Sequence, residues 1–112
     1  MTLQPLTSFE NLEVGDIFTM ITPDFEDHII QFVGRNPMIK NKKFQNNSGY
    51  FTTMDSQRKC FWLSVWELKN SKVEYYIGYD KAFVLKRRIE KIKNELLQPL
   101  QDQLLMLETK KS

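Results

Sequence analysis

The spacing of apolar residues changes once along this 112-residue chain, near residue 80, and that change limits what the chain can fold into. Before it lie five short runs rich in β-branched and aromatic residues, at 16–21, 28–34, 49–54, 60–69 and 73–79, separated by turn-forming clusters. These read as five strands. The connections are too short for a parallel crossover, so neighbours pair mostly antiparallel in a small barrel or curled sheet. Residues 35–48 are too many and too polar for a tight turn and read as an exposed loop. Beyond residue 80, Leu85, Ile89, Ile92 and Leu96 recur at helical steps, with Asp80 placed as N-cap. Pro99 lacks a backbone donor and crowds the preceding turn, so the helix kinks or restarts there and continues through Leu100, Leu104 and Leu107. The fold class is α+β, with a five-stranded barrel over residues 1–79 and a long kinked C-terminal helix over 80–112.

The predicted core comprises Ile17, Ile21, Ile29, Val33, Phe61, Leu63, Val65, Tyr75 and Ile77 from the strands, with Leu85 and Ile89 from the helix. A chain this short buries only about 65% of the surface it exposes when unfolded. One small barrel face cannot also cover every leucine of the tail. Two outcomes follow: residues 85–107 pair with a second copy through Leu96, Leu100, Leu104 and Leu107, or the helix folds back at Gln98-Pro99 and buries its own leucines. In the dimer, Lys86, Arg87, Lys91 and Lys93 form a basic outer face.

Both tryptophans lie in Cys60–Lys69 (CFWLSVWELK). Read as a strand, this run places Trp62 and Trp66 on one face, about 13 Å apart at roughly 3.3 Å per residue. Both of its faces are apolar, as in a central strand covered by the barrel on one side and the helix on the other. The alternative is a binding platform, whose spacing suits an extended ligand better than a single ring. Cys60, the only cysteine, has no internal disulfide partner and reads as a buried, inert thiol, which fits a reducing cytoplasm. The first residues lack a basic segment followed by an apolar run, and no apolar stretch reaches the roughly 20 residues a bilayer needs, which disfavours secretion and membrane spanning.

Catalytic patterns are thin. Asp24 after Pro23, with Glu67 and Lys69, matches the letters of PD-(D/E)xK nucleases, in which two acids hold a divalent cation and the lysine positions the attacking water. However, Asp24 falls in a turn signal and no acidic residue occupies an early helix. His28, the only histidine, stands beside Asp24, Glu26 and Asp27 and reads as a solvated side chain. No phosphate loop, nucleophile elbow or Cys/His pair is present, so the chain reads as a non-enzyme with no cofactor and no metal.

Charge is unevenly distributed. Residues 1–34 hold six acidic and no basic side chains, whereas residues 35–112 hold all 16 basic ones and eight acidic ones. Either the acidic start folds against the basic remainder, or a basic surface is left to draw in phosphates or an acidic protein. Lys40, Lys42, Lys43 and Arg58, near Phe44 and Tyr50, combine with Lys86, Arg87 and Lys91 in the mixture of charge and stacking faces that nucleic-acid binders use. The favoured reading is a protein-binding module, in which these residues and Trp62 and Trp66 contact the partner.

The segment Leu12-Glu-Val-Gly-Asp-Ile-Phe18 turns the chain into its first strand and resembles the opening of small SH3-like barrels. Short Lys-, Asn- and Phe-rich chains of this kind resemble accessory proteins of bacteriophages and mobile elements. That resemblance implies an SH3-like barrel that binds and modulates or inhibits a host or defence protein, and it carries no site residue across.

Overall fold

The β1–β2 hairpin sets the frame. In the computed structural model, which describes residues 2–110, Ile17–Ile21 (β1) and Asp27–Gly34 (β2) pair antiparallel with Phe18 opposite Ile30. Ser48–Thr53 (β3) adds to β2, and Cys60–Ser64 (β4) adds to β3. Glu74–Ile77 (β5) returns to the free side of β1, giving the order β4-β3-β2-β1-β5 in an antiparallel half-barrel. A bulge between Phe32 and Gly34 bends β2.

Phe51 stands at the centre of the concave face. Its ring lies 5.4 Å from Phe32, 5.6 Å from Phe18, 6.0 Å from Phe9 and 6.1 Å from Phe61, centroid to centroid. Ile30, Leu63 and Leu6 complete this core. Leu6 and Phe9 come from the segment before β1, which the apolar periodicity does not mark as structural; it is tied down where Leu6 N–H donates to the Tyr75 carbonyl and Ile77 N–H to that of Gln4. Gly49 is required here, because a Cβ would come within 2.9 Å of the Phe51 ring, 3.1 Å of Phe32 and 3.3 Å of Phe9.

The convex face holds a second core. Ile21 and Tyr76 are buried with Leu3, and Phe83 packs against them with its ring 5.0 Å from that of Tyr76. Phe83 belongs to Lys81–Ile92 (α3), whose N-cap is Asp80 as predicted, accepting from Phe83 N–H at 2.9 Å. Because β5 pairs with β1, the helix that follows it lies over these two strands and away from β4.

The core prediction is therefore half right. Ile21 and Leu63 are buried, but Phe18, Ile30 and Phe32 fill the concave core where Ile17, Ile29 and Val33 are expected, and Ile77 is exposed. The helix reverses its expected face: Leu85 and Ile89 are 45% and 63% exposed, whereas Val84 and Lys91 are buried. Ion pairing decides this. Glu74 lies on the convex face and meets Arg87 Nε at 2.6 Å and Lys91 Nζ at 3.5 Å, while Asp27 meets Arg88 Nη1 at 3.0 Å. Arg88 also donates to the Phe25 carbonyl, and Lys91, 4% exposed, reaches the Thr22 carbonyl and stands 5.9 Å from the Phe25 ring centre. Phe25 is the left-handed residue of the β1–β2 turn (φ 66°), an unfavourable conformation for a bulky side chain, and two cations of α3 hold it from above.

Three further expectations change. The run 60–69 is a strand only to Ser64, whose side chain accepts from Glu67 N–H and caps the short helix Val65–Asn70 (α2). The 35–48 loop contains one helical turn, Lys42–Gln45 (α1). At Pro99 the helix neither stops nor folds back: a π turn at Lys93–Leu97 leads into Gln98–Lys110 (α4), and Gln98 N–H donates five residues back to Lys93. The wider turn accommodates a residue with no N–H of its own. Every residue from Ile92 to Thr109 is exposed. The tail gives the chain a radius of gyration of 18.0 Å, against about 13 Å for a compact domain of this length.

Two stability measurements follow. Gly49→Ala should cost about 1–3 kcal/mol by overpacking the phenylalanine cluster; an unchanged urea midpoint would show that the cluster yields. Burial drives the Glu74 carboxyl upward, but bonds from Arg87 and Tyr76 and the charge of Lys91 outweigh it and hold the group below its usual range. A depressed carboxylate contributes stability that is present above its unfolded pKa, about 4.3, and lost as pH falls through the folded value. Glu74→Gln should therefore cost about 1–3 kcal/mol at pH 7, and the gap to the unmodified protein should narrow as pH falls below the unfolded value of about 4.3. A gap that stays constant as the pH falls would assign the loss to packing.

Candidate functional site

With α3 covering β1 and β5, the convex face of β3 and β4 is left open. Tyr50 and Trp62 are register partners there, their rings 4.4 Å apart and inclined at 32°. Trp62 is 48% exposed. Cys60 lies two residues before it on the same face of β4 and is exposed, which corrects the buried thiol expected from the apolar run. An outer strand has no neighbour to bury it. The Tyr50 hydroxyl is held above the ordinary tyrosine range, first by its hydrogen bond with the Cys60 thiol, then by burial and by the nearby thiolate charge.

Trp66 is 68% exposed but lies on Val65–Asn70, so the two indoles do not share one strand face and the 13 Å platform is not formed. Glu67 and Lys69 fall on the same short helix, two residues apart, a spacing that directs side chains to different sides. Asp24 is exposed in the β1–β2 turn. Among the described residues no group of three or more His, Cys, Asp or Glu side chains is placed to hold a metal ion, and no helix is long and apolar enough to cross a membrane.

The basic residues divide between two settings. Arg58 is exposed in the β3–β4 hairpin, with a left-handed backbone (φ 45°). Asp55 organises that turn, accepting from the Thr53 hydroxyl and from the N–H groups of Gln57 and Arg58, each at 3.0 Å. Lys40 and Lys43 are exposed in the 35–48 segment, where Phe44 also projects, and the side chain of Lys42 lies outside the described residues. On α3, Lys86 is exposed. Arg87 and Lys91 are not on the outer basic face expected of them; both turn toward Glu74. Their charge is committed within the fold.

The outward face of the helix is apolar. Leu96, Leu100, Leu104 and Leu107 are each more than half exposed, and Ile89 and Ile92 are exposed as well. The open surfaces are thus an aromatic patch on β3, β4 and the following helix, exposed basic side chains in the 35–48 segment and the β3–β4 hairpin, and an apolar stripe along the tail. The exposure of Cys60 is directly testable: a thiol reagent should modify one equivalent in the native protein as fast as in urea, and protection by tenfold or more would return the thiol to a covered site.

Compared with known families, characterised proteins and solved structures, the chain matches no family model, no characterised protein and no solved structure.

Proposed function

We propose that this chain is a non-enzymatic, cytoplasmic protein-binding module, of the kind by which bacteriophages and mobile elements modulate or inhibit a host or defence protein. The observation that carries the reading is the stacked, exposed Tyr50–Trp62 pair beside exposed Trp66. Aromatic residues left in water on a small domain are the side chains that anchor protein interfaces. Lys40, Lys42, Lys43, Phe44 and Arg58 form the rim of that interface, and Lys86 extends it onto the helix. An SH3-like identity for the barrel is supported by the antiparallel meander whose fifth strand closes back on the first. The apolar stripe of Leu96, Leu100, Leu104 and Leu107 supports self-association into a homodimer.

The second reading, nucleic-acid binding, rests on the exposed Lys40 and Lys43 beside Phe44 in the 35–48 segment, with exposed Arg58 in the hairpin at the other end of β3. It is weakened on the helix, where Arg87, Arg88 and Lys91 already face Glu74 and Asp27. A pull-down from the source cell, with and without nuclease, separates the two. Protein binding predicts capture that survives nuclease, is lost in Trp62→Ala, Trp66→Ala and persists in Lys40→Ala, Lys42→Ala, Lys43→Ala. Nucleic-acid binding predicts the reverse, with the lysine variant lowering the slope of log affinity on log salt by about three at most.

A further inference from the structure

A cleft of about 460 Å³ lies between the segment before β1 and the paired ends of β1 and β5. That volume falls within the roughly 300–1,000 Å³ of small-molecule sites. Its edges are fixed by the backbone, because Leu6 N–H donates to the Tyr75 carbonyl, Ile77 N–H to that of Gln4 and Gly78 N–H to that of Ile17. The walls therefore need no ligand to hold them in place. Leu6, Leu12, Ile17 and Ile77 supply the apolar part of the lining. Ile77, expected in the core, stands exposed on this wall instead.

The polar part of the lining carries one sign of charge. Among the described residues Asp16 is the only charged one in the wall, joined by the uncharged polar residues Thr7, Ser8 and Asn11. One carboxylate oxygen of Asp16 accepts from Glu13 N–H at 2.9 Å, which anchors the group and leaves its other oxygen for a ligand. Elsewhere in the acidic first third the carboxylates have partners: Asp27 meets Arg88 at 3.0 Å, and Glu26 lies 3.6 Å from His28. Glu10, Glu13 and Asp16 meet no basic side chain within ion-pair distance among the described residues. Arg35 reaches this segment but donates to the carbonyls of Phe9, Glu10 and Leu12. The field of these carboxylates repels anions, and the acids are not grouped to hold a metal ion. An organic cation with an apolar body satisfies both parts of the lining, its methylene groups against the aliphatic wall and its N–H donors on the carboxylate.

We propose that this cleft binds a small aliphatic primary amine, with its chain against Leu6, Ile17 and Ile77 and its ammonium group on the Asp16 carboxylate, where Thr7 and Asn11 offer further acceptors. The site lies at the β1–β5 end of the sheet, and the aromatic patch lies on β3 and β4, so a protein partner and the amine occupy different surfaces.

The test titrates the full-length, nitrogen-15-labelled chain at pH 7 with n-hexylamine, which is protonated there, and in parallel with hexanol and hexanoate, which share its alkyl chain and differ in head group. Saturable shifts are expected at the backbone amides of Ile17 and Gly78. Hexylamine should bind about fivefold more tightly than hexanol, the worth of one exposed ion pair, and hexanoate more weakly than either. Asp16→Asn keeps an acceptor for Glu13 N–H and removes the charge; it should bring hexylamine down to the affinity of hexanol and leave that of hexanol unchanged. Shifts confined to the tail leucines, or the absence of any saturable shift at Ile17 and Gly78, would overturn the site. An unmodified chain that binds amine and alcohol equally, or an amine preference that survives Asp16→Asn, would overturn the assignment of the ligand. The ranking of the three compounds by the unmodified chain decides the matter even if the variant does not fold.

Discussion

Glu74 sets the orientation of everything beyond residue 80. Its carboxylate is a half-buried acid on the convex face of β5, and leaving it unpaired there would cost more than any single apolar contact the helix could offer in exchange. Arg87 and Lys91 satisfy it from successive turns of α3, and Tyr76 donates its hydroxyl to the same group; burial first, then that bond and the charge of Glu74, push the Tyr76 hydroxyl up to about 12. Once those cations face inward, helical geometry puts Leu85, Ile89 and Ile92 outward. The apolar face of the tail is free because an ion cluster occupies the other one.

The same cluster links two remote parts of the chain. Phe25 sits in a left-handed turn that its side chain disfavours, and α3 stabilises it with Arg88 on its carbonyl and Lys91 over its ring. The acidic first third of the sequence does fold against the basic remainder at this point, through Asp27 and Arg88. At Arg35 the cation goes instead to backbone carbonyls, those of Phe9 and Leu12. Much of the uneven charge is thus spent on holding the helix and the N-terminal segment to the barrel, while Lys40, Lys43, Arg58 and Lys86 stay open.

These particulars explain how far the sequence could be read. Strand count, antiparallel pairing and the Asp80 cap were legible because turn clusters and periodicity mark them directly. The side of each strand was not, since in β1 and β2 both alternate sets are apolar: Phe18, Ile30 and Phe32 compete with Ile17, Ile29 and Val33, and convex burial under Leu3 and α3 removes the usual contrast. The helix face was misread for a related reason. Periodicity assumes that apolar groups go inward, whereas a carboxylate 13 residues before Arg87 in sequence overrides it. In Cys60–Lys69 the apolar pattern continues past Ser64, and only the side chain that caps the next helix marks where the strand ends. The aromatic patch was legible in composition and illegible in geometry, because its exposure depends on α3 covering the opposite end of the sheet.

That cap at Ser64 has a consequence for how copies can meet. A long, flat outer strand offers a ladder of open amides and carbonyls on which identical chains stack without limit. Here the outer strand spans only Cys60–Ser64 before the backbone curls into a helix, and the Ser64 side chain takes up one of the first free amides of that helix. Growth by adding strand to strand has little template to start from. A chain with so much uncovered apolar surface thereby directs its contacts to side chains, where shape and charge limit the number of partners, and away from backbone pairing, which would accept any neighbour.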